Sequence, residues 1–183
     1  AEVFAQWLMR EAGKEALVGG TGVLDVAGGH GHLSFALHCT HGIPCTLVDP
    51  VPRRRLLTAR QAKKLKKAGG TPFRYLEAFF DDNFGAEGRG EKECALLQGC
   101  SLLAGLHPDE ATEPIVDAAL RLGKPFAVVP CCVFPHLRPG RRRPDGGAVA
   151  TTREFVEYLC ARGEGIRAAA LPFEGANTVV YRF

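Results

Sequence analysis

Two apolar rhythms alternate along the chain. Short apolar runs that end in turn residues are separated by longer stretches with apolar residues at helical spacing, the pattern of a parallel sheet wrapped by crossover helices. Phe4, Trp7, Leu8, Ala12 and Leu17 predict an N-terminal amphipathic helix ended by Gly19-Gly20. Strands are predicted over Gly22–Ala27, Pro44–Val48, Pro72–Ala78, within Leu96–Leu106 and over Phe126–Val129, with Ile166–Leu171 and Thr178–Phe183 as a terminal pair. Helices are predicted over His32–Thr40, Arg53–Ala68, Ala111–Leu122 and Thr152–Ala161, the last capped by Thr151 or Thr152. Pro135–Gly147, rich in Pro, Gly and Arg, reads as a long loop. The class is α/β, with no internal repeat and no linker.

Composition narrows this picture. At 183 residues, 46% hydrophobic and 23% charged, the chain has the proportions of one soluble domain spanning 1–183 that needs no disulfide or metal to fold. No apolar run approaches the roughly 20 residues of a membrane helix, and Ala1-Glu2-Val3-Phe4 lacks the plan of a signal peptide. The expectation is an intracellular, cytoplasmic protein with no membrane association and no obligate protein partner. A start at Ala1 leaves room for a targeting segment that has been removed.

Seven cysteines, odd in number and without a C-x-x-C pair, argue against a disulfide framework or a zinc ribbon. His30, His32, His38 and His41 fall close together, yet no acidic third ligand is near them, and no metal site is expected. The net charge of +3 hides an uneven distribution. Arg53–Lys67 and Arg138–Arg143 hold 12 of the 23 basic residues and no acid, leaving 11 bases against 20 acids elsewhere. Such clusters attract phosphates or form solvated faces.

The chemistry is concentrated in Val23-Leu24-Asp25-Val26-Ala27-Gly28-Gly29-His30-Gly31-His32-Leu33. A strand ending in a glycine turn before a helix lets a nucleotide-like ligand approach the backbone. Asp49, at the end of the second strand, is placed to accept hydrogen bonds from ribose hydroxyls. Gly29-His30-Gly31-His32-Leu33-Ser34 departs from the dinucleotide pattern at Ser34, and Asp25 would repel a pyrophosphate while suiting the cationic methionine end of S-adenosylmethionine. A nicotinamide oxidoreductase is thereby disfavoured, and no P-loop occurs.

On these residues the sequence resembles the class I S-adenosylmethionine-dependent methyltransferases, whose first motif is D/E-x-G-x-G-x-G; Ala27 stands at its first glycine. The resemblance covers nearly the whole chain. It implies a Rossmann-like three-layer sandwich with a mostly parallel seven-stranded sheet and an antiparallel last strand. It also implies that Asp25, Ala27, Gly29 and Gly31 line the methionine side, with Gly28 also binding the cofactor, Asp49 at the ribose and Phe80 and Asp81 near the adenine. A narrower similarity, carried by Gly105–Thr112 and Val129-Pro130-Cys131-Cys132, is to the family that includes the eukaryotic tRNA 2′-O-methyltransferase of the acceptor stem. Asp109-Glu110 stand where those relatives have Cys-Gly.

Methyl transfer from a sulfonium depends mostly on alignment, so few catalytic residues are expected. His107 and Asp109, after the fourth strand, are candidates for positioning or deprotonating the acceptor; the alternative is a helix cap by Asp109 with His107 fixing the turn. Cys131 and Cys132 are candidate pocket-lining residues, with a nucleophilic role disfavoured by apolar neighbours. Arg138, Arg141, Arg142 and Arg143 are the expected substrate contacts, at the cofactor edge, whereas the Arg53–Lys67 helix reads as a solvated face. The expectation is methyl transfer to RNA, tRNA-like in character. A small-molecule or protein acceptor is the alternative within the enzymes, and a catalytically inactive RNA-binding or scaffolding domain the alternative outside them.

Overall fold

Val23–Val26 (β1), Cys45–Asp49 (β2), Arg74–Glu77 (β3), Leu102–Leu106 (β4), Phe126–Val129 (β5), Arg167–Ala170 (β6) and Thr178–Arg182 (β7) form one sheet in a computed structural model that describes residues 1–52, 55–86 and 90–183. The strand order is β3-β2-β1-β4-β5-β7-β6. β7 runs antiparallel to both its neighbours, and every other pair is parallel. The class and sheet therefore agree with the expected Rossmann-like sandwich.

The central strands are apolar on both sides because both faces are covered. Val23 of β1 and Leu102 and Ala104 of β4 pack with Phe4, Trp7, Leu8, Leu17, Leu33 and Leu37 on one face. These come from α1 (Glu2–Ala12), α2 (Lys14–Val18) and the helical segment that follows β1. Leu24, Val26 and Leu103 pack on the other face with Leu97, Ile115, Val116, Phe155 and Leu159. The strand period of two thus divides one sheet between two cores.

Several elements depart from the sequence reading. Gly13, at φ 82°, splits the expected single N-terminal helix into α1 and α2. The segment after β1 is α-helical only over His32–Ser34 (α3) and continues as a π-helix over Phe35–Thr40. The basic helix is Ala59–Lys67 (α4), because Thr58 and Gln61 form a reciprocal capping box that defines its start; Arg53 and Arg54 lie outside the described residues.

Glu91–Gly99 (α5) is a helix that the sequence pattern does not predict; it buries only Leu97 and carries no clear apolar stripe to announce it. Thr112–Leu122 (α6) follows a 3-10 turn at Asp109–Ala111, and Thr152–Cys160 (α7) is capped by Thr151 with Glu154, as expected. No helix among the described residues is long and apolar enough to cross a membrane.

The strand order reverses between β1 and β4, which opens a crevice at their carboxyl ends where open α/β sheets place ligands. In register, Val26 lies opposite Val48 and Leu106 opposite Val129, so the segments after β1, β2, β4 and β5 emerge together at that edge.

Candidate active site

Asp25 pairs with Leu47 on one side and Ala104 on the other, and is fully buried. Its Oδ2 accepts hydrogen bonds from Ser34 N (3.0 Å) and Ser34 Oγ (2.6 Å). Its Oδ1 is buried with no partner among the described residues. Burial pushes the carboxyl up from 3.8 to about 6, against the pull of the Ser34 hydrogen bonds. A carboxylate in this state is short of positive charge.

Ala27, next to leave the sheet, is in the left-handed region (φ 51°), which explains why the motif has glycine at that place. A Cβ on Gly28 would fall 2.6–2.7 Å from the Asp25 carboxyl atoms, so only glycine fits there. A Cβ on Gly29 would meet nothing within 4 Å, which leaves open space in front of the turn. Gly31 instead packs against Phe73 and lines no cavity of the crevice.

Asp49 fastens the turn to β2. Its Oδ2 accepts Gly29 N at 2.9 Å and its Oδ1 accepts Val51 N at 3.1 Å. Beside it opens a cavity of about 670 Å³, bounded by Ala27, Gly29 and Asp49 on one side, Phe79, Phe80 and Asp81 on another, and Asp109, Phe134 and Arg138 opposite. That volume lies within the range of small-molecule sites, roughly 300–1,000 Å³. Val51, Phe79 and Leu137 also line it, and they are 56%, 77% and 48% exposed, an apolar rim.

A second cavity, of about 460 Å³, includes Asp25, Gly28, His32, Leu33, Leu106, His107 and Phe173 in its walls. Gly28 faces one cavity and Gly29 the other, so the glycine turn divides them. His107 donates from Nε2 to the Ala176 carbonyl at 2.8 Å, which leaves Nδ1 of the neutral ring as its lone-pair nitrogen. Asp109 lines the larger cavity and caps no helix; its Oδ1 accepts the Cys131 thiol at 3.2 Å. Burial, then the Asp109 hydrogen bond, pushes that thiol up to about 12, so Cys131 is protonated at neutral pH.

Four non-glycine residues among those described have positive φ: Ala27, His107, Asp109 and Phe134. All four sit in the segments that leave β1, β4 and β5 at the carboxyl edge. Backbone strain of this kind, of order 1–3 kcal/mol per residue, concentrates at functional sites.

No protein-family model and no curated protein matches the sequence. Solved structures match its fold. The magnesium protoporphyrin IX methyltransferase of Synechocystis PCC 6803, crystallised with S-adenosylmethionine, superposes with a TM-score of 0.52 at 14% identity, over 98% of this chain and 76% of that one. The chain has the class I methyltransferase fold. EvdMO1 superposes with a TM-score of 0.54 at 15% identity over 99% of this chain, which spans only 40% of EvdMO1.

Within this methyltransferase fold, all the expected cofactor residues but Gly31 line the two cavities: Ala27, Gly29, Asp49, Phe80 and Asp81 the larger, Asp25 and Gly28 the smaller. His107 and Asp109, paired in the sequence reading, are divided between them. Cys131 and Cys132 line neither. Sequence reasoning missed Val51, Phe79, Phe134, Leu137 and Phe173; for Val51 and Phe79 the available signal was an apolar residue two positions beyond a strand end.

The arginine loop requires a correction. Arg141 is buried: its guanidinium binds Glu113 through Nε (2.7 Å), donates to the Val133 carbonyl, and lies 4.4 Å over the Phe155 ring. Glu113 also accepts Tyr158 OH at 2.8 Å and pairs with Arg162 at 3.3 Å. Arg138 pairs with Asp82 at 2.9 Å, Arg143 with Asp145 and Glu154, and Arg142 donates to the Pro139 and Arg141 carbonyls. A buried charge must be paired, and Arg141 and Arg143 fasten the loop to α6 and α7, while Arg142 stays exposed. On α4, by contrast, Arg60, Lys63, Lys64, Lys66 and Lys67 are all exposed.

Proposed function

We propose that the chain is an S-adenosylmethionine-dependent methyltransferase, with adenosine in the larger cavity and the methionine end in the smaller. The observation that carries this reading is the Asp25 carboxyl: buried, with one oxygen unpartnered, in the wall of a cavity beside a glycine turn. A cationic ligand group there would supply the charge it lacks. Asp49 holds the turn, Phe80 and Asp81 bound the adenosine end, and the open face of Gly29 admits the ligand to the backbone.

When bound, S-adenosylmethionine supplies an electrophilic methyl group on a sulfonium. The chain's own contribution is then orientation and, where the acceptor must lose a proton, a base. His107, with Nε2–H committed to Ala176, holds Nδ1 for that proton. Asp109 lies across the turn, in the wall of the other cavity.

For the acceptor, the apolar rim of Val51, Phe79 and Leu137 supports a small molecule with an apolar body. RNA is the second reading. Its support lies less in the arginine loop, where Arg138, Arg141 and Arg143 are paired with acids, than in the exposed and acid-free α4. Isothermal calorimetry with S-adenosylmethionine and its demethylated product tests the cofactor, and absence of binding by both refutes the enzyme reading in favour of a scaffolding role. Transfer of labelled methyl into a tRNA pool or into an apolar small-molecule pool separates the acceptors.

A further inference from the structure

The carboxyl ends of β4 and β5 lie side by side, with Leu106 opposite Val129, so His107-Pro108-Asp109 and Pro130-Cys131-Cys132 leave the sheet together. There, a carboxylate oxygen of Asp109 and the Sγ atoms of Cys131 and Cys132 all lie within 4.8 Å of one another. No other three His, Cys, Asp or Glu residues converge in this way among those described. The three come from two segments 22 residues apart in sequence, brought together by parallel strand pairing.

We propose that Asp109, Cys131 and Cys132 form a binding site for a thiophilic divalent cation, zinc in particular. Tetrahedral zinc, with sulfur at about 2.3 Å and oxygen at about 2.0 Å, spaces its ligand atoms about 3.5–3.8 Å apart. Cys131 Sγ and Asp109 Oδ1 are already 3.2 Å apart, joined by the thiol proton. Metal binding replaces that proton: one dication enters, both thiols give their protons to the buffer, and two thiolates with one carboxylate leave a net charge of −1 on the site. Two sulfur ligands select zinc over magnesium or calcium, which take oxygen.

Three protein ligands leave a fourth tetrahedral position, as in catalytic rather than structural zinc sites. Asp109 also lines the larger cavity, so the ion would sit in its wall. A role in holding an oxygen or nitrogen of the methyl acceptor rests on the methyltransferase reading; the metal site itself does not. Binding of metal alone can therefore fail or succeed independently of cofactor binding.

The test uses the full chain, reduced and stripped with a chelator, titrated with Zn²⁺ by calorimetry in two buffers of different ionisation enthalpy and with Co²⁺ by absorbance. The proposal expects one equivalent of metal, release of two protons, and a cobalt spectrum with tetrahedral d–d bands and sulfur-to-cobalt charge transfer. Cys131→Ser and Cys132→Ser should each weaken Zn²⁺ binding by about a hundredfold or more, whereas Cys94→Ser should leave it unchanged. Asp109→Asn keeps the residue's shape, and should weaken binding while the charge-transfer band survives. Absence of stoichiometric binding overturns the proposal, as does full affinity in a Cys131→Ser/Cys132→Ser double variant. If the serine variants fail to fold by circular dichroism, unchanged affinity and spectrum in Asp109→Asn overturn it.

Discussion

Replacing Asp25 by Asn separates what this residue costs the fold from what it gives the site. The carboxyl titrates near 6 in the fold against 3.8 in the free chain. A raised acid stabilises the fold only while it stays protonated there. Its contribution is complete below pH 3.8, falls away as the pH rises to about 6, and is gone above that. The displacement corresponds to about 3 kcal/mol, undiluted by solvent because the group is fully buried. Asn cannot titrate. Whatever constant penalty its amide brings at the Oδ1 position, the stability of Asp25→Asn relative to the native chain should climb by about 3 kcal/mol between pH 3 and pH 7.

Urea unfolding at half-unit pH intervals measures this directly, and in thermal scans of a chain this size the same change amounts to roughly 6–12 °C. At pH 7 the variant should also lose S-adenosylmethionine affinity by tenfold or more, the trade of stability against function expected at a site. A difference between the two proteins that stays flat with pH, within about 0.5 kcal/mol, would refute the argument that Asp25 is a buried carboxylate waiting for a cation.

Other consequences follow from particular contacts. Gly28→Ala drives a methyl group into the Asp25 carboxyl, which Ser34 holds in place, and should cost about 1–3 kcal/mol in urea unfolding and abolish cofactor binding by calorimetry. Glu113→Ala strands the buried Arg141 and should cost about 3–5 kcal/mol, with part of the loss recovered when Arg141 is replaced by Leu as well. In the metal-free protein Cys131 should carry about a thousandfold less thiolate than an ordinary cysteine at pH 7, seen as slow alkylation by mass spectrometry. If RNA is the acceptor, replacing Lys63, Lys64, Lys66 and Lys67 by Ala should flatten the salt slope of tRNA binding by up to about 3.

The central strands and the glycine turn were legible in the sequence because their physics is local. A strand buried on both faces must be apolar throughout, and Asp25 stood out as the single exception in β1. α5 was hidden because it buries almost nothing, and the break at Gly13 because a helical pattern runs through it. The arginine loop misled for a different reason. Charge along a sequence says nothing of its partners, and Glu113, Asp82 and Glu154 lie far from the arginines they neutralise. The apolar rim of the larger cavity was equally non-local, since Val51, Phe79 and Leu137 come from three different loops.

Calorimetric titration of the intact chain with S-adenosylmethionine at pH 7.5 bears most directly on the central claim. Saturable one-to-one binding is predicted, matched by its demethylated product, weakened by Asp25→Asn and accompanied by a rise in melting temperature with ligand concentration. No heat and no thermal shift at millimolar cofactor, in a chain that is folded by circular dichroism, would contradict it.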